Sequence, residues 1–183
     1  MRRMFIALTV LLLVGMTATA ALAASPHFKK GGEPTCTITG TATSKTVVCT
    51  GTLSGLGGDN LRITTTISGF ALYQCQNGGG NTAPGQNRVL QGPSTVPTDI
   101  DSSAIKNGNL TFTTNPNTLS AATTVSGAVA GCPNPNWTGV NPTLTLTDIT
   151  LDIFQPVTTR IFHCTASNPN GLTSPVTLTC TSP

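Results

Sequence analysis

The feature that most limits the fold of this chain is its set of six cysteines, which all follow residue 35: Cys36, Cys49, Cys75, Cys132, Cys164 and Cys180. An even number of cysteines in an exported chain is typical of a disulfide framework. The alternative is free thiols or a zinc site, but the chain has no C-x-x-C pair and only two histidines, His27 and His163. We therefore expect three disulfides and no metal site.

The first 23 residues have the pattern of a cleaved signal peptide. Arg2 and Arg3 precede an apolar run from Phe5 to Met16, and Ala21-Leu22-Ala23 supplies the small residues of a cleavage site. The apolar run is shorter than the roughly 20 residues of a membrane-spanning helix, and no later stretch is apolar enough to cross a bilayer. We expect a secreted, extracellular protein that does not insert into a membrane once the signal is removed.

Low charge and abundant threonine shape the rest of the chain. Charged residues make up 8% of the sequence, against about 25% in average domains, and threonine contributes roughly a fifth. The cations that remain after loss of Arg2 and Arg3 are scattered, so the sequence argues against nucleic-acid binding. Threonine is β-branched and favours strands, where its hydroxyl makes a neutral polar surface.

Residues 24–34 are rich in Gly, Pro and Lys without periodicity, which predicts a flexible tail. Residues 35–183 then show alternating apolar and polar positions separated by Gly, Pro and Asn clusters. We predict an all-β domain, an antiparallel β-sandwich with immunoglobulin-like topology, and keep a barrel as the alternative.

Three local features refine this prediction. Gly69 marks a bulge or bend in a long strand over 61–75. The apolar phase of residues 143–154 switches near Thr147-Asp148, which predicts a β-bulge there. Residues 121–130 alternate Thr, Val and Gly with smaller residues and are predicted to form a strand.

The strand phases also suggest how the cysteines pair. Cys36 and Cys49 share the core-facing phase on consecutive strands, as do Cys164 and Cys180. Cys75 is then left with Cys132 as the preferred scheme among 15 connectivities.

No catalytic constellation is visible in the sequence. His163 lies in a predicted strand without a nucleophile elbow, and His27 lies in the predicted tail. Asp148 and Asp152 share a strand face about 13 Å apart, too far for the usual glycosidase pair. The segment Asp99-x-Asp101-x-Ser103 resembles the start of a calcium loop but lacks the glutamate that an EF-hand requires. We expect no catalytic residue, no metal and no cofactor.

Two loops have unusual sequences and are the candidate ligand contacts. Residues 76–87 are Gly- and Asn-rich, and residues 132–139 are Pro-rich. Their candidate contact residues are Asn77, Asn81, Gln86 and Trp137, although burial of Trp137 as a lid on the core is the favoured alternative.

Three segments resemble a group of small exported bacterial proteins of unknown function. They are C-T-G…G-L-G at residues 49–57, C-x-N-x-G-G-N…P-G-Q at residues 75–86, and C-P-N-P-x-W at residues 132–137. The resemblance covers most of the chain after residue 23 and implies bacterial export and a β-sandwich-like fold. It implies no activity and no catalytic residues.

The sequence therefore favours a secreted, non-enzymatic structural or binding domain. The first alternative is a module that binds glycan or cell-wall material through the 76–87 and 132–139 loops. The second is a secreted hydrolase with a site assembled from distant residues around Asp99, Asp101, Asp148 or His163.

Overall fold

The structure, a computed structural model, describes residues 25–183. The signal peptide predicted for residues 1–23 lies outside the described residues. In chain order the elements are β1 (His27–Phe28), β2 (Thr35–Gly40), β3 (Ser44–Ser54), β4 (Leu61–Gln76), β5 (Thr82–Pro84), β6 (Val89–Ile100), a 3-10 helix (Ser102–Ala104), β7 (Leu110–Thr113), β8 (Asn117–Ser120), β9 (Val125–Ser126), α1 (Gly127–Ala130), β10 (Thr138–Phe154), β11 (Arg160–Ser167), β12 (Val176–Thr177) and β13 (Thr179–Thr181).

These strands form two antiparallel sheets. The first has the order β1-β3-β2-β12, with β7 and β8 paired to β3. The second has the order β13-β11-β10-β4-β5, with β6 also paired to β4 and β9 to β10. One cluster of buried apolar side chains draws residues from both sheets. The predicted all-β antiparallel sandwich is confirmed, and its immunoglobulin-like topology stays a prediction.

The alternation of side chains explains why these segments are strands. In β4, Leu61, Ile63 and Ile67 are fully buried, whereas the residues between them are partly or fully exposed except Thr65. In β10, which pairs with β4, buried and exposed side chains alternate with the same period of two. β4 and β10 therefore each bury one face in the core and leave a mostly hydroxyl-bearing face outside.

Both predicted irregularities are confirmed and lie beside each other. The β10–β4 register shifts between Leu146 and Asp148, so Thr147 has no partner on β4. The β4–β6 register shifts between Ile67 and Gly69. Gly69 is buried, and a Cβ there would overlap the backbone carbonyl oxygen of Thr145. The strands approach too closely at this point for any residue except glycine.

The predicted disulfide scheme is also confirmed. Cys36–Cys49 joins β2 to β3 and Cys164–Cys180 joins β11 to β13, each with a Cα–Cα distance of 3.9 Å. Cys75–Cys132 joins the end of β4 to the loop after α1, with a Cα–Cα distance of 5.5 Å. The structure therefore has no free cysteine in the part of the chain that it describes.

In residues 25–34, the described part of the predicted flexible tail over residues 24–34, the chain is packed against the first sheet. His27 and Phe28 pair with Ser54 and Leu53 of β3, and the Phe28 ring lies 4.6 Å from that of Phe162. The carbonyl oxygen of Pro34 accepts a hydrogen bond from Leu178 N–H. Backbone pairing with the first sheet and the Phe28–Phe162 contact hold a segment whose composition predicts a flexible tail.

The strand predicted over residues 121–130 is also corrected. Only Val125–Ser126 is a strand, and Gly127–Ala130 forms one helical turn. The Ser126 side chain accepts a hydrogen bond from Val129 N–H, and Gly131 ends the turn with φ 68°. An N-cap serine and a left-handed glycine are typical helix boundaries, and here they override the alternating pattern.

Among residues 25–183, no helix combines the length and the apolar character needed to cross a bilayer.

A buried hydroxyl gives a first test of the core. Thr65 is fully buried, and its Oγ1 has no hydrogen-bond partner among the described residues. Because an unpaired buried hydroxyl is destabilising, we expect Thr65→Val to raise the free energy of unfolding by about 1 kcal/mol. Urea unfolding followed by circular dichroism measures this change.

The matched control is Thr114→Val. Thr114 is also buried, but its Oγ1 accepts a hydrogen bond of 2.9 Å from Cys49 N–H. Removing this acceptor leaves a buried donor unpaired, so we expect a loss of about 1 to 2 kcal/mol. If Thr65→Val and Thr114→Val changed the free energy of unfolding in the same direction, this interpretation of Thr65 would be contradicted.

Candidate functional site

The two loops with unusual sequences meet at one end of the second sheet. The Cys75–Cys132 disulfide links them covalently. Gln86 N–H donates to the carbonyl oxygen of Ala130 at 3.1 Å, and Asn87 Nδ2 donates to that of Val129 at 3.1 Å. Residues 76–87 are therefore fastened to α1 and to the Pro-rich loop that precedes β10.

A cavity of about 320 Å³ lies beside these loops, between β5 and β10 on the outer face of the second sheet. We call it the terminal cleft. Its lining residues are Leu72, Tyr73, Gln74, Thr82, Ala83, Pro84, Gly85, Asn141 and Thr143. None of them carries a charged side chain. The cleft therefore suits a neutral ligand better than an ionic one.

The shape of the terminal cleft depends on a break in strand pairing. The β10–β4 register shifts between Val140 and Thr143, and Asn141 adopts a left-handed conformation with φ 50°. Asparagine tolerates this conformation better than most residues. The shift brings Asn141 Nδ2 to 3.1 Å from Gln74 Oε1, to which it donates a hydrogen bond.

This pair of amides gives the terminal cleft its chemistry. Each amide keeps hydrogen-bonding capacity beyond the bond between them, so together they offer both donors and acceptors. Leu72 lies two residues from Gln74 on the same strand face and is 41% exposed. Paired amides beside an exposed aliphatic side chain match a ligand with polar edges and an apolar face.

The four contact residues predicted from the sequence lie outside the walls of the terminal cleft. Asn77 Oδ1 accepts hydrogen bonds from the N–H groups of Gly79 and Asn81 and so shapes the glycine-rich turn. Asn81 and Gln86 are exposed. Trp137 is half-buried and packs against the core, as the lid interpretation expected.

Sequence reasoning missed Gln74 and Asn141, the two amides of the cleft. The Asn141-Pro142 dipeptide is a turn signal that could have marked the break in β10. Nothing in the local sequence singles out Gln74, because its role comes from a side-chain hydrogen bond to Asn141 on the neighbouring strand β10.

A second cavity, of about 330 Å³, lies further along the same outer face. The Arg88 guanidinium stacks 4.4 Å from the centre of the Phe70 ring and donates to the carbonyl oxygen of Pro169 at 2.8 Å. Leu90 is 85% exposed at its rim. Arg88 therefore covers the one aromatic ring in this cavity.

Asp148 lines the second cavity and is held by hydroxyl groups. It accepts hydrogen bonds from Ser167 and Thr147, each at 2.6 Å, and from Ser68 at 3.3 Å. These bonds, led by that from Ser167, hold the pKa of the Asp148 carboxyl below its usual range despite partial burial. The Asp148 carboxylate therefore stays ionised, and its oxygens accept hydrogen bonds that join β4, β10 and β11.

Asp99 and Asp101 line a third cavity, of about 470 Å³. Asp99 accepts hydrogen bonds from Arg62 at 2.6 and 3.2 Å, and this bonding lowers its pKa. Asp101 caps the 3-10 helix, because its side chain accepts a hydrogen bond from Ser103 N–H. Hydrogen bonding by Ser103, first through its side chain and then through its backbone, lowers the pKa of the Asp101 carboxyl. Within residues 25–183 no three His, Cys, Asp or Glu side chains are grouped to hold a metal ion.

His163 pairs with an acid that the sequence analysis did not assign to it. Asp152 and His163 face each other across β10 and β11, with 2.8 Å between Oδ1 and Nδ1, and Arg160 lies 3.2 Å from the same oxygen. The His163 side chain is 40% exposed. A serine nucleophile would have to bond the other ring nitrogen, and no such bond is found among the described residues.

Comparisons of the chain with protein-family models, with curated proteins and with solved structures find no match.

Proposed function

We propose that this protein is an exported, non-enzymatic domain that binds a neutral ligand in the terminal cleft. The observation that carries the proposal is the composition of that cleft, in which the Gln74–Asn141 amide pair lies beside the half-exposed Leu72 and no charged side chain. The ligand class that fits best is a glycan, since sugars combine hydroxyl edges with apolar faces.

Export is supported by three features. The disulfides between cysteines 36 and 49, 75 and 132, and 164 and 180 are typical of proteins that mature in an oxidising compartment. The N-terminal pattern of residues 1–23 is that of a signal peptide. The resemblance of the Cys-containing segments to small exported bacterial proteins points to a bacterial cell surface as the place of binding.

A non-enzymatic role is supported by the state of the three carboxylates that line the second and third cavities. Hydrogen bonds hold the pKa of Asp99, Asp101 and Asp148 below the usual range. A glycosidase needs one carboxylic acid with a raised pKa to protonate the leaving group. The competing proposal, a hydrolase using the cavity of Asp99 and Asp101, predicts polysaccharide cleavage that is lost in Asp99→Asn.

The test of the binding proposal uses two variants of the terminal cleft. Gln74→Ala removes one amide, and Asn141→Gly removes the other while allowing the left-handed backbone. Each lost hydrogen bond to a ligand costs about 1.4 kcal/mol, so we expect roughly tenfold weaker binding from either variant. The measurement is binding to a glycan array and to purified cell-wall polysaccharide, with affinities from isothermal titration.

The matched control is Asn170→Ala, which removes an exposed amide in the turn between β11 and β12. We expect it to bind like the wild type. Asn81→Ala distinguishes the cleft from the tip of the glycine-rich loop, because only a loop-tip site would lose affinity. Wild-type protein that binds no glycan, or cleft variants that bind as tightly as Asn170→Ala, would refute the proposal.

A further inference from the structure

The outer face of the first sheet has an unusual composition. The outward positions of β2, β3, β7, β8 and β12 carry threonine or serine throughout, apart from Val48. No charged and no aromatic side chain occupies any of these positions. We call this surface the threonine face.

Four residues of the threonine face form a row of directly paired positions across four strands. Thr177 pairs with Thr35, Thr35 with Thr50, and Thr50 with Thr113. Thr50, Thr113 and Thr177 are exposed and Thr35 is half-exposed. Antiparallel pairing places neighbours in this row about 4.8 Å apart, and the next outward residues along a strand about 6.7 Å away.

The hydroxyl groups of this row are free to bind water. Elsewhere on the threonine face some hydroxyls bond each other, as Thr46 and Thr118 do at 2.8 Å. None of the four in the row bonds another side chain among the described residues. The row therefore presents a repeat of one hydroxyl and one methyl group per strand.

The row is also held rigidly. Threonine is β-branched, which restricts its side-chain torsion. The buried Cys36–Cys49 disulfide joins β2 to β3 at the positions next to Thr35 and Thr50. Little entropy is therefore lost when the array is ordered against a ligand.

Three classes of ligand do not fit the threonine face. It has no cations for a nucleic acid or an anionic surface. It has none of the large aromatic or arginine side chains that anchor protein partners. Three strand spacings make it about 15 Å wide, and the 11 residues of β3 make it about 33 Å long. Its area of roughly 500 Å² is below the roughly 800 Å² per partner of a standard protein interface. It also lacks aromatic rings on which an extended polysaccharide could stack.

The ligand that does fit is a neutral lattice of oxygen atoms. On the prism planes of hexagonal ice, water oxygens repeat in two perpendicular directions at spacings close to those between and along the strands. Hydroxyls can enter such a lattice and methyls can order the water around them, whereas charged groups would keep their own hydration shells. We propose that the threonine face binds ice.

The second sheet supplies a control within the same molecule. Thr95, Thr66, Thr150, Thr165 and Thr179 also form a row across its strands. On β10 this row is flanked by Asp148 and Asp152, two positions away on either side of Thr150. Carboxylates flank this second row on both sides, whereas the first row has one exposed carboxylate nearby, Glu33, two residues before Thr35 and outside β2. The proposal therefore assigns ice binding to the first sheet.

The experiment measures thermal hysteresis and the uptake of fluorescently labelled protein into a growing ice sphere. Wild-type protein is expected to enter the ice and to depress its growth temperature. Thr50→Lys places a charge in the middle of the threonine face and should abolish both effects. Thr150→Lys places the same charge in the second row and should leave both unchanged.

Circular dichroism and a thiol titration establish that each variant is folded and oxidised. Should Thr50→Lys fail to fold, Thr113→Lys tests the same row from β7. Exclusion of the wild-type protein from ice, or equal behaviour of Thr50→Lys and Thr150→Lys, would overturn the proposal. Because neither lysine lies in the terminal cleft, the result is independent of the ligand proposed there.

Discussion

Replacing Cys75 and Cys132 together with alanine should lower the free energy of unfolding by about 4 kcal/mol. This disulfide closes a loop with a sequence separation of 57 residues, and in the chain-entropy model such a cross-link restricts the unfolded chain by about that amount. A typical domain is stable by only about 5 to 15 kcal/mol, so the variant should unfold at a markedly lower urea concentration.

The matched comparison is the double variant at Cys36 and Cys49. Its sequence separation is 13, for which the same model gives about 3 kcal/mol. The two variants should also differ in where they loosen the protein. Loss of Cys75–Cys132 frees the loops beside the terminal cleft, so hydrogen exchange should rise there and ligand binding should weaken. If the Cys75/Cys132 variant lost no more stability than the Cys36/Cys49 variant, the role assigned to the Cys75–Cys132 disulfide would be contradicted.

Leu151→Ala should lower the free energy of unfolding by about 3 kcal/mol. Leu151 is fully buried in β10, where its Cα partners are Thr65 on β4 and Cys164 on β11. Truncation to alanine removes apolar contact and leaves a cavity that flanking strands on both sides cannot collapse to fill. The expected range for such substitutions is about 2 to 5 kcal/mol.

Thr150→Ala is the control for this substitution, because Thr150 is the neighbouring residue on the outward face of the same strand. Truncation of the Thr150 side chain should lower the free energy of unfolding by less than about 1 kcal/mol, which is the full range of the strand propensity scale. Urea unfolding of both variants measures the difference. Comparable losses at Leu151 and Thr150 would show that β10 is not packed as described.

Local patterns were enough to predict much of the scaffold. The phase change at Thr147-Asp148 predicted a bulge because side chains alternate strictly along a strand, so one extra residue must reverse their order. The pairing of Cys36 with Cys49 followed in the same way, since both cysteines share the core-facing phase of consecutive strands. These features depend on residues that are close in sequence.

Other predictions from local pattern were wrong for a physical reason. The composition of residues 24–34 indicated a flexible tail, but β1 pairs with β3 and Phe28 contacts the ring of Phe162. The alternation of residues 121–130 indicated a strand, but the Ser126 cap closes a helical turn instead. In both segments a few specific contacts outweigh the average preference of the residues around them.

The candidate sites depended on contacts that local sequence does not encode. The amide pair of the terminal cleft joins Asn141 to Gln74, a residue 67 positions away. Asp99 is held by Arg62, 37 positions away, and Asp152 by His163 across a hairpin. Sequence analysis named the acids but could not pair them, because each pair is set by the register between strands.

Sequence alone determined the alternation of strands, the disulfide framework and the scarcity of charge, because each follows from residue type and short-range spacing. Tertiary structure decided which side chains share a surface. The row from Thr177 to Thr113 joins four strands that are separated in the chain, and a shift of one residue in any pairing would turn its threonines into the core. Register is a property of the assembled sheet, so both proposed ligand surfaces could be identified only in the folded protein.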